Sequence, residues 1–297
     1  MTPERPLRGW AAFRAFLEMI KIEHSIFALP FAMLGMIWAA DGFPGWRTFG
    51  LILLAMVSAR SAAMAYNRIA DRDIDAKNPR TQIRALPAGL LTLRTASLYF
   101  WASLGLFILS AALLNPLALM LAPAALLVIL GYSLTKRFTS LCHYILGLGL
   151  GIAPAASSIA VLGVVDLRML WFVAGVMLWT AGFDIIYSLQ DEEFDRQERL
   201  RSIPQSLGKA RALAVSRLSH LGAVGCLLMG GAALGLGMFY FIGVGLAAAV
   251  LVYEQSLVKP NDLSRVNLAF FTLNGLVSIG VFAFGWFDFW WSSQVAV

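Results

Sequence analysis

The sequence predicts an all-α polytopic membrane protein, a bundle of about nine transmembrane helices in two pseudo-symmetric halves. Hydrophobic residues make up 59% of the 297 and charged residues only 13%, with mean hydropathy +0.74, whereas a soluble domain carries about 25% charged residues. The apolar residues fall into runs of bilayer length, and the basic residues gather on alternate connections. A soluble enzyme and a disordered chain are both excluded by these figures. Residues 1–297 read as one transmembrane domain.

Each element follows in order. Residues 1–22, with Glu4, Arg5, Arg8, Arg14, Glu18 and Lys21, are too charged for a cleaved leader and read as a cytoplasmic interfacial helix. Apolar runs then cover about 23–40, 46–66, 95–114, 116–133, 141–163, 168–189, 211–233, 236–254 and 267–287. The least distinct division lies between the seventh and eighth, where Gly230, Gly231, Gly235 and Gly237 offer a turn but little polarity. Gly147, Gly149 and Gly151 in span five and Gly222, Gly225 and Gly230 in span seven suggest close helix packing. Cys142 and Cys226 lack metal-ligand spacing and read as small core residues.

The N-terminus and the connections after spans two, four, six and eight hold 20 of the 23 basic residues. Only Arg47 and Arg168 lie on the other side, and Arg60 lies inside span two. That bias places the N-terminus and these loops on the cytoplasmic face of the cell inner membrane. The C-terminus is then outside, where Asp288 with Trp290 and Trp291 reads as an interfacial end. The net charge of +6 comes from these topology residues, and no basic tail or aromatic-basic platform suggests nucleic acid.

The acids are concentrated. Of 17, three are Asp71, Asp73 and Asp75, and six lie between Asp184 and Glu198. Asn67, Asp71 and Asp75 are spaced i, i+4, i+8, so on a helix each step turns only about 40° and the three share a stripe. Asp73 points elsewhere. Relative to Asp191, residues Asp184, Tyr187 and Asp195 sit at about +20°, −40° and +40°, again one stripe, while Glu192 and Glu193 lie off it. Carboxylates so spaced repel one another and need a neutralising partner at a membrane boundary. Hard oxygen ligands without His or Cys suit Mg²⁺, which completes its shell with water and substrate phosphate. The connections 67–94 and 190–210 are therefore the candidate catalytic loops. An apolar span, an acid stripe and a basic loop recur near 71 and 191, which suggests the two half-bundles.

Cations flank both stripes: Arg80 and Arg84 after the first, Arg199, Arg201 and Lys209 after the second, and Lys136 and Arg137 just beyond Tyr132. Arg forks and a point-charge Lys suit the oxygens of a diphosphate. Arg60 precedes Asn67 by seven residues, on the same face about 10 Å deeper. A cation at that depth reads as facing a polar cavity, where it binds diphosphate or an acceptor carboxylate.

Taken together, Arg60, Asn67, Asp71, Asp75, Arg80-Thr81, Arg84 and Leu86-Pro87-Ala88-Gly89, with Asp184-x-x-Tyr187-x-x-x-Asp191-x-x-x-Asp195 and Tyr132-x-x-x-Lys136-Arg137, resemble the UbiA superfamily of intramembrane aromatic prenyltransferases. One departure is Arg68, where the family usually carries Asp after the Asn; the context is similar to bacterial 4-hydroxybenzoate polyprenyltransferase-like enzymes and to a branch serving menaquinone by the futalosine route. The resemblance implies Mg²⁺-dependent transfer of a polyprenyl group from its diphosphate to an aromatic acid, 4-hydroxybenzoate or 1,4-dihydroxy-6-naphthoate. It implies one Mg²⁺ at Asp71 and Asp75, with Asn67 completing its shell or contacting the diphosphate, another at Asp191 and Asp195, and Lys136, Arg80 and Arg84 on the diphosphate. Arg60, Tyr132, Asp184 and Tyr187 would contact substrate, Asp184 or the departing diphosphate would take the ring proton, and Lys21, His24 and Phe27 would line the acceptor side. A rival class is a cation transporter using the stripes as an ion path. Both stripes sit at helix ends among diphosphate-type cations, which favours the enzyme, and the Asp-Gly and Ala-Arg signature of CDP-alcohol phosphotransferases is absent.

Overall fold

The computed structural model describes residues 6–20 and 27–295. Lys21 and His24 lie outside the described residues. In chain order the helices are α1 (Gly9–Ile20), α2 (Leu29–Ala40), α3 (Trp46–Ala70), α4 (Arg72–Lys77), α5 (Leu93–Leu114), α6 (Pro116–Thr135) and α7 (Cys142–Leu162). They continue as α8 (Met169–Ser188), α9 (Glu192–Gln197), α10 (Ile203–Leu207), α11 (Lys209–Leu234), α12 (Met238–Leu257) and α13 (Asn274–Val295), the last entered through a π turn over Leu268–Leu273. Among the described residues, eight helices are long and apolar enough to cross a membrane. The first expected span, 23–40, is represented by the apolar α2 of 12 residues, about 18 Å long at 1.5 Å per residue. Large apolar side chains such as Leu98, Trp101, Met120, Leu127, Leu221 and Val252 are exposed on these helices, as a lipid-facing surface requires.

The described chain forms two compact units. One comprises the described part of Met1–Ser25 with Gly50–Leu134, the other the described part of Ile26–Phe49 with Thr135–Val297. Each contains one acid motif.

In the first unit α1 buries Ala12, Ala15, Phe16, Met19 and Ile20 in a cluster with Ala62, Ala65, Leu86, Leu91, Ala96 and Phe100. Its outer face carries the Arg14–Glu18 pair, 3.0 Å and exposed, so the helix is amphipathic as an interfacial element should be. The backbone N–H of Leu7 donates to the Leu90 carbonyl at 3.0 Å and ties this helix to the loop after the acid motif.

In the second unit the core runs from Phe31, Leu34 and Phe172 through Trp179 and Phe183 to Tyr240, Val244 and Val281. Close packing of α7 on α8 depends on Gly147 and Gly151, since a Cβ at either would collide with the α8 carbonyls of Met177 or Val173. The division between α11 and α12 is made by Gly235, whose φ of +70° is the left-handed conformation glycine adopts at little cost. Asp288 differs from its expected interfacial role. It is buried, and its carboxylate accepts the backbone N–H groups of Gly237, Phe239 and Tyr240 at 2.7, 3.0 and 3.3 Å. An acid from α13 thereby caps the first turn of α12, where unpaired N–H donors and the helix dipole favour negative charge.

Candidate active site

The first motif starts at the end of α3. The expected uninterrupted stripe is broken there: α3 stops at Ala70, and Asp71, with φ −98° and ψ 8°, joins it to the six-residue α4. The four-residue register survives, because the Asp71 N–H donates to the Asn67 carbonyl at 2.9 Å and the Asp75 N–H to the Asp71 carbonyl at 2.7 Å. The Asn67 amide donates from Nδ2 to Asp71 Oδ2 at 3.0 Å. Its oxygen accepts from Arg68 Nη1, also at 3.0 Å, so the long Arg68 side chain returns to a stripe that its backbone position would miss. Arg68 is buried and within electrostatic reach of Arg84, Asp75, Tyr132 and Asp71. Tyr132 in turn feels the charges of Arg68, Arg60 and Asp71.

Asp75 is buried. Arg84 Nη1 lies 2.7 Å from both of its carboxylate oxygens, and Thr81 Oγ1 donates to its backbone carbonyl at 3.1 Å. The unit thus brings Arg60, Asn67, Asp71, Asp75, Arg84 and Tyr132 into one charged neighbourhood. Arg80 is held by its backbone N–H, which donates to Asn78 Oδ1 at 2.9 Å, and is half-buried.

The second motif repeats this local design. The helix α8 ends at Ser188, a single 3₁₀ turn covers Leu189–Asp191, and Asp191, with φ −102° and ψ 3°, leads into the six-residue α9. Asp195 occupies the same place in α9 that Asp75 has in α4, and it is 0% exposed. Lys136 Nζ lies 2.6 Å from Asp195 Oδ1, and Ser202 Oγ donates to Oδ2 at 2.8 Å. Burial on its own would lower the pKa of the Lys136 ammonium; Asp195 and then Asp191 outweigh it and hold the group above its ordinary 10.5. Of the cations expected on phosphate, Arg84 and Lys136 are thus partners of the second aspartate of their motifs. Glu192, off the stripe as expected, pairs with Arg196 at 2.7 Å.

About two helical turns before Asp191, Asp184 Oδ2 lies 2.7 Å from His143 Nδ1, and the Ile203 N–H donates to His143 Nε2 at 3.3 Å. An N–H can be accepted only by an unprotonated ring nitrogen, so Nδ1 carries the proton and donates to Asp184. Tyr187 stacks on Phe270, ring centres 4.2 Å apart and 32° between planes. The unit thus unites Lys136, Asp184, Tyr187, Asp191 and Asp195. Reading the sequence missed His143, Ser202 and Phe270. For His143 a signal existed: an ionisable group within an apolar span is rarely idle.

Among the described residues no group of three or more His, Cys, Asp or Glu side chains forms a metal-binding cluster. Two carboxylates and amide oxygen at the first motif and two carboxylates at the second nevertheless fit Mg²⁺, a hard ion that takes one or two protein carboxylates and fills the rest of its shell with water and phosphate.

The profile of the UbiA prenyltransferase family matches residues 28–276. The chain belongs to this family. Relatives of this UbiA-family prenyltransferase include the 4-hydroxybenzoate octaprenyltransferase of Aromatoleum aromaticum, 30% identical over 261 residues that make up 86% of this chain and 87% of that protein. The 4-hydroxybenzoate octaprenyltransferase of Pseudoalteromonas atlantica is 31% identical over 236 residues, 80% of this chain and 82% of that one. Among solved structures, the apo form of a UbiA homolog from Aeropyrum pernix K1 superposes with TM-score 0.81 at 40% identity, covering 89% of this chain and 97% of that one. A UbiA homolog from Archaeoglobus fulgidus, solved with DMAPP and Mg²⁺, shares the fold with TM-score 0.68 at 20% identity over 92% and 98% of the two chains. The expected family and its multi-helix membrane fold are thereby shown, and both aspartate motifs fall inside the matched region.

Proposed function

We propose that this prenyltransferase moves a polyprenyl group from its diphosphate to the ring of an aromatic acid, 4-hydroxybenzoate or 1,4-dihydroxy-6-naphthoate, in ubiquinone or menaquinone biosynthesis. The carrying observation is the twice-built motif: an aspartate at a helix break, then a buried aspartate paired with Arg84 in one unit and Lys136 in the other. Relatives named 4-hydroxybenzoate octaprenyltransferase support the acceptor class, and the Archaeoglobus fulgidus homolog with DMAPP and Mg²⁺ supports the donor and the metal.

In this reading Asn67, Asp71 and Asp75 hold one Mg²⁺ and Asp191 and Asp195 another. When bound, the metal supplies Lewis-acid stabilisation of the charge on the leaving diphosphate. Arg80 and Arg84 beside the first motif and Lys136 beside the second add positive charge within their own units, so negative charge developing as the allylic C–O bond breaks meets preorganised partners. Arg60, deeper on α3, takes the acceptor carboxylate as a bidentate fork. Tyr132 and Tyr187 contact substrate. Asp184, oriented by the His143 Nδ1–H, accepts the proton released from the ring carbon ortho to the hydroxyl. The basic loops support a cytoplasmic placement of the motifs at the inner membrane.

The test is direct. Purified protein with Mg²⁺, a polyprenyl diphosphate and each acceptor in turn should release diphosphate and yield a prenylated ring, and Asp71→Ala or Asp191→Ala should abolish this with the fold intact. No ring product with either acid would defeat the proposal.

A further inference from the structure

The helices α8, α12 and α13 share a buried polar contact that the reaction described above does not use. Asn274 and Glu254 are fully buried, and Trp179 nearly so. The Trp179 Nε1–H donates to Asn274 Oδ1 at 2.6 Å. The Asn274 amide group donates to Glu254 Oε1 at 3.3 Å and to the carbonyls of Ala269 and Phe270 at 2.9 and 3.3 Å. Asn274 is the residue that follows the π turn, and those two carbonyls belong to it. A π turn departs from the α-helical ladder, occurs mostly as a single turn and is frequent at functional sites. In an apolar interior its displaced carbonyls need donors. One amide side chain, gripped from two other helices, supplies them.

This clamp determines where Phe270 stands. Its ring lies 4.2 Å from Tyr187, 5.2 Å from Phe183 and 6.0 Å from Phe27. Over the stretch from Ala181 to Ser188 of α8 only Asp184 and Tyr187 escape full burial. The open face of that stretch is thus the face carrying Asp184 and Tyr187, about two turns and one turn before Asp191. Phe270 is itself only partly buried, so the Tyr187–Phe270 pair borders this face, while Phe183, Trp179 and Phe27 back it from the core.

We propose that Asn274, held by Trp179 and Glu254, is a positioning residue that fixes the π turn and sets Phe270 against Tyr187, and that this ring pair walls the allylic hydrocarbon next to the diphosphate. The proposal rests on the prenyl-transfer reading above. Aromatic faces stabilise cationic character, and a fixed wall excludes water. Without it, water adds to the allylic carbon and the outcome is prenyl alcohol, diphosphate and a proton in place of ring prenylation.

The experiment measures the ratio of prenylated ring to prenyl alcohol at equal diphosphate release, in detergent-purified full-length protein. Phe270→Ala and Asn274→Leu should each lower the ratio by about tenfold, the order of one lost aromatic contact, and the double variant should be no worse than either. Glu254→Gln, which keeps an acceptor for the Asn274 amide, should match the wild type; Glu254→Leu should follow Asn274→Leu. A second readout does not need turnover: para-fluorophenylalanine at position 270, followed by fluorine NMR, should shift in both Tyr187→Leu and Asn274→Leu. An unmoved fluorine resonance in Asn274→Leu, or effects of Phe270→Ala and Asn274→Leu that multiply, overturns the clamp. Wild-type protein that transfers no prenyl group overturns the functional reading instead, and the clamp is then judged by the fluorine resonance.

Discussion

The Lys136–Asp195 pair separates what the second motif does for the fold from what it does for the reaction. Asp195 is 0% exposed with Lys136 Nζ at 2.6 Å, and the Lys136 side chain is 33% exposed. Removing one partner of a buried pair costs about 3–5 kcal/mol, because the survivor is left charged in a low dielectric. Since Lys136 retains partial access to solvent, Lys136→Met should cost about 2–3 kcal/mol, with Ser202 the remaining donor on the carboxylate. Asp195→Asn should cost less, about 1 kcal/mol, because the ammonium can be hydrated. The double variant removes both charges and should return to within about 1 kcal/mol of the wild type, giving a coupling of about 2 kcal/mol. Turnover should stay lost in all three. Lys136 is held above 10.5, so the folded state binds its proton more tightly than the unfolded state does. The stabilisation is fully present below that value and lost only as pH rises through the raised folded pKa. The Lys136 share of the gap between wild type and Lys136→Met should therefore be constant from about pH 7 to 9, and the gap should narrow toward low pH, where the Asp195 carboxyl, raised by burial and no longer opposed by Lys136, takes up a proton. Unfolding by SDS titration in mixed micelles, read by circular dichroism, gives the energies, and diphosphate release gives turnover. A Lys136→Met cost below about 0.5 kcal/mol, or a double variant that regains activity, would refute the reasoning.

Three further outcomes are expected. His143→Ala, which deprives Asp184 of its donor, should lower kcat about tenfold to a hundredfold, while His143→Asn, whose amide can stand in for Nδ1–H, should stay within about threefold; equal losses would remove the orienting role. Arg60→Ala should raise KM for a carboxylated acceptor about tenfold and leave KM for the diphosphate within about twofold, and the reverse pattern would assign Arg60 to the donor. Asp288→Ala, which strips the cap from α12, should lower stability by about 2–3 kcal/mol with kcat unchanged, and Asp288→Asn by about half as much, as measured in the same micellar unfolding assay.

How much was legible in the sequence varied with the kind of physics involved. Span limits were readable because bilayer thickness fixes the length of an apolar run: 116–133 was expected and Pro116–Thr135 found, 211–233 expected and Lys209–Leu234 found. The four-residue register of Asn67, Asp71 and Asp75 was readable because i, i+4 spacing carries its own geometry. The break at Asp71 was not, since the register is continuous across it and only the backbone angles change. Pairings between distant segments were also hidden: His143 and Asp184 are 41 positions apart, and no period in either helix names the other. The return of Arg68 to Asn67 was hidden too, because a side chain of that reach is not confined to the angle of its own Cα. Asp288 misled through composition, because a lone acid near a run of tryptophans reads as surface until the amides it caps are seen.

The recurrence at Asp71 and Asp191 bears on why the charge is grouped as it is. Both residues sit at nearly the same backbone angles, and each is followed by a six-residue helix whose fourth residue is a buried aspartate. In the protein interior a bare carboxylate is costly and a cation must accompany it. The two units supply different cations, and the difference is chemical. Arg84 places one nitrogen across both oxygens of Asp75, which occupies the carboxylate symmetrically. Lys136 is a point charge on one oxygen of Asp195 and leaves the other to the Ser202 hydroxyl. A ligand drawing on the carboxylate of either unit therefore meets a different competitor: at Asp75 a guanidinium that must release both oxygens together, at Asp195 an ammonium and a hydroxyl that can yield one at a time.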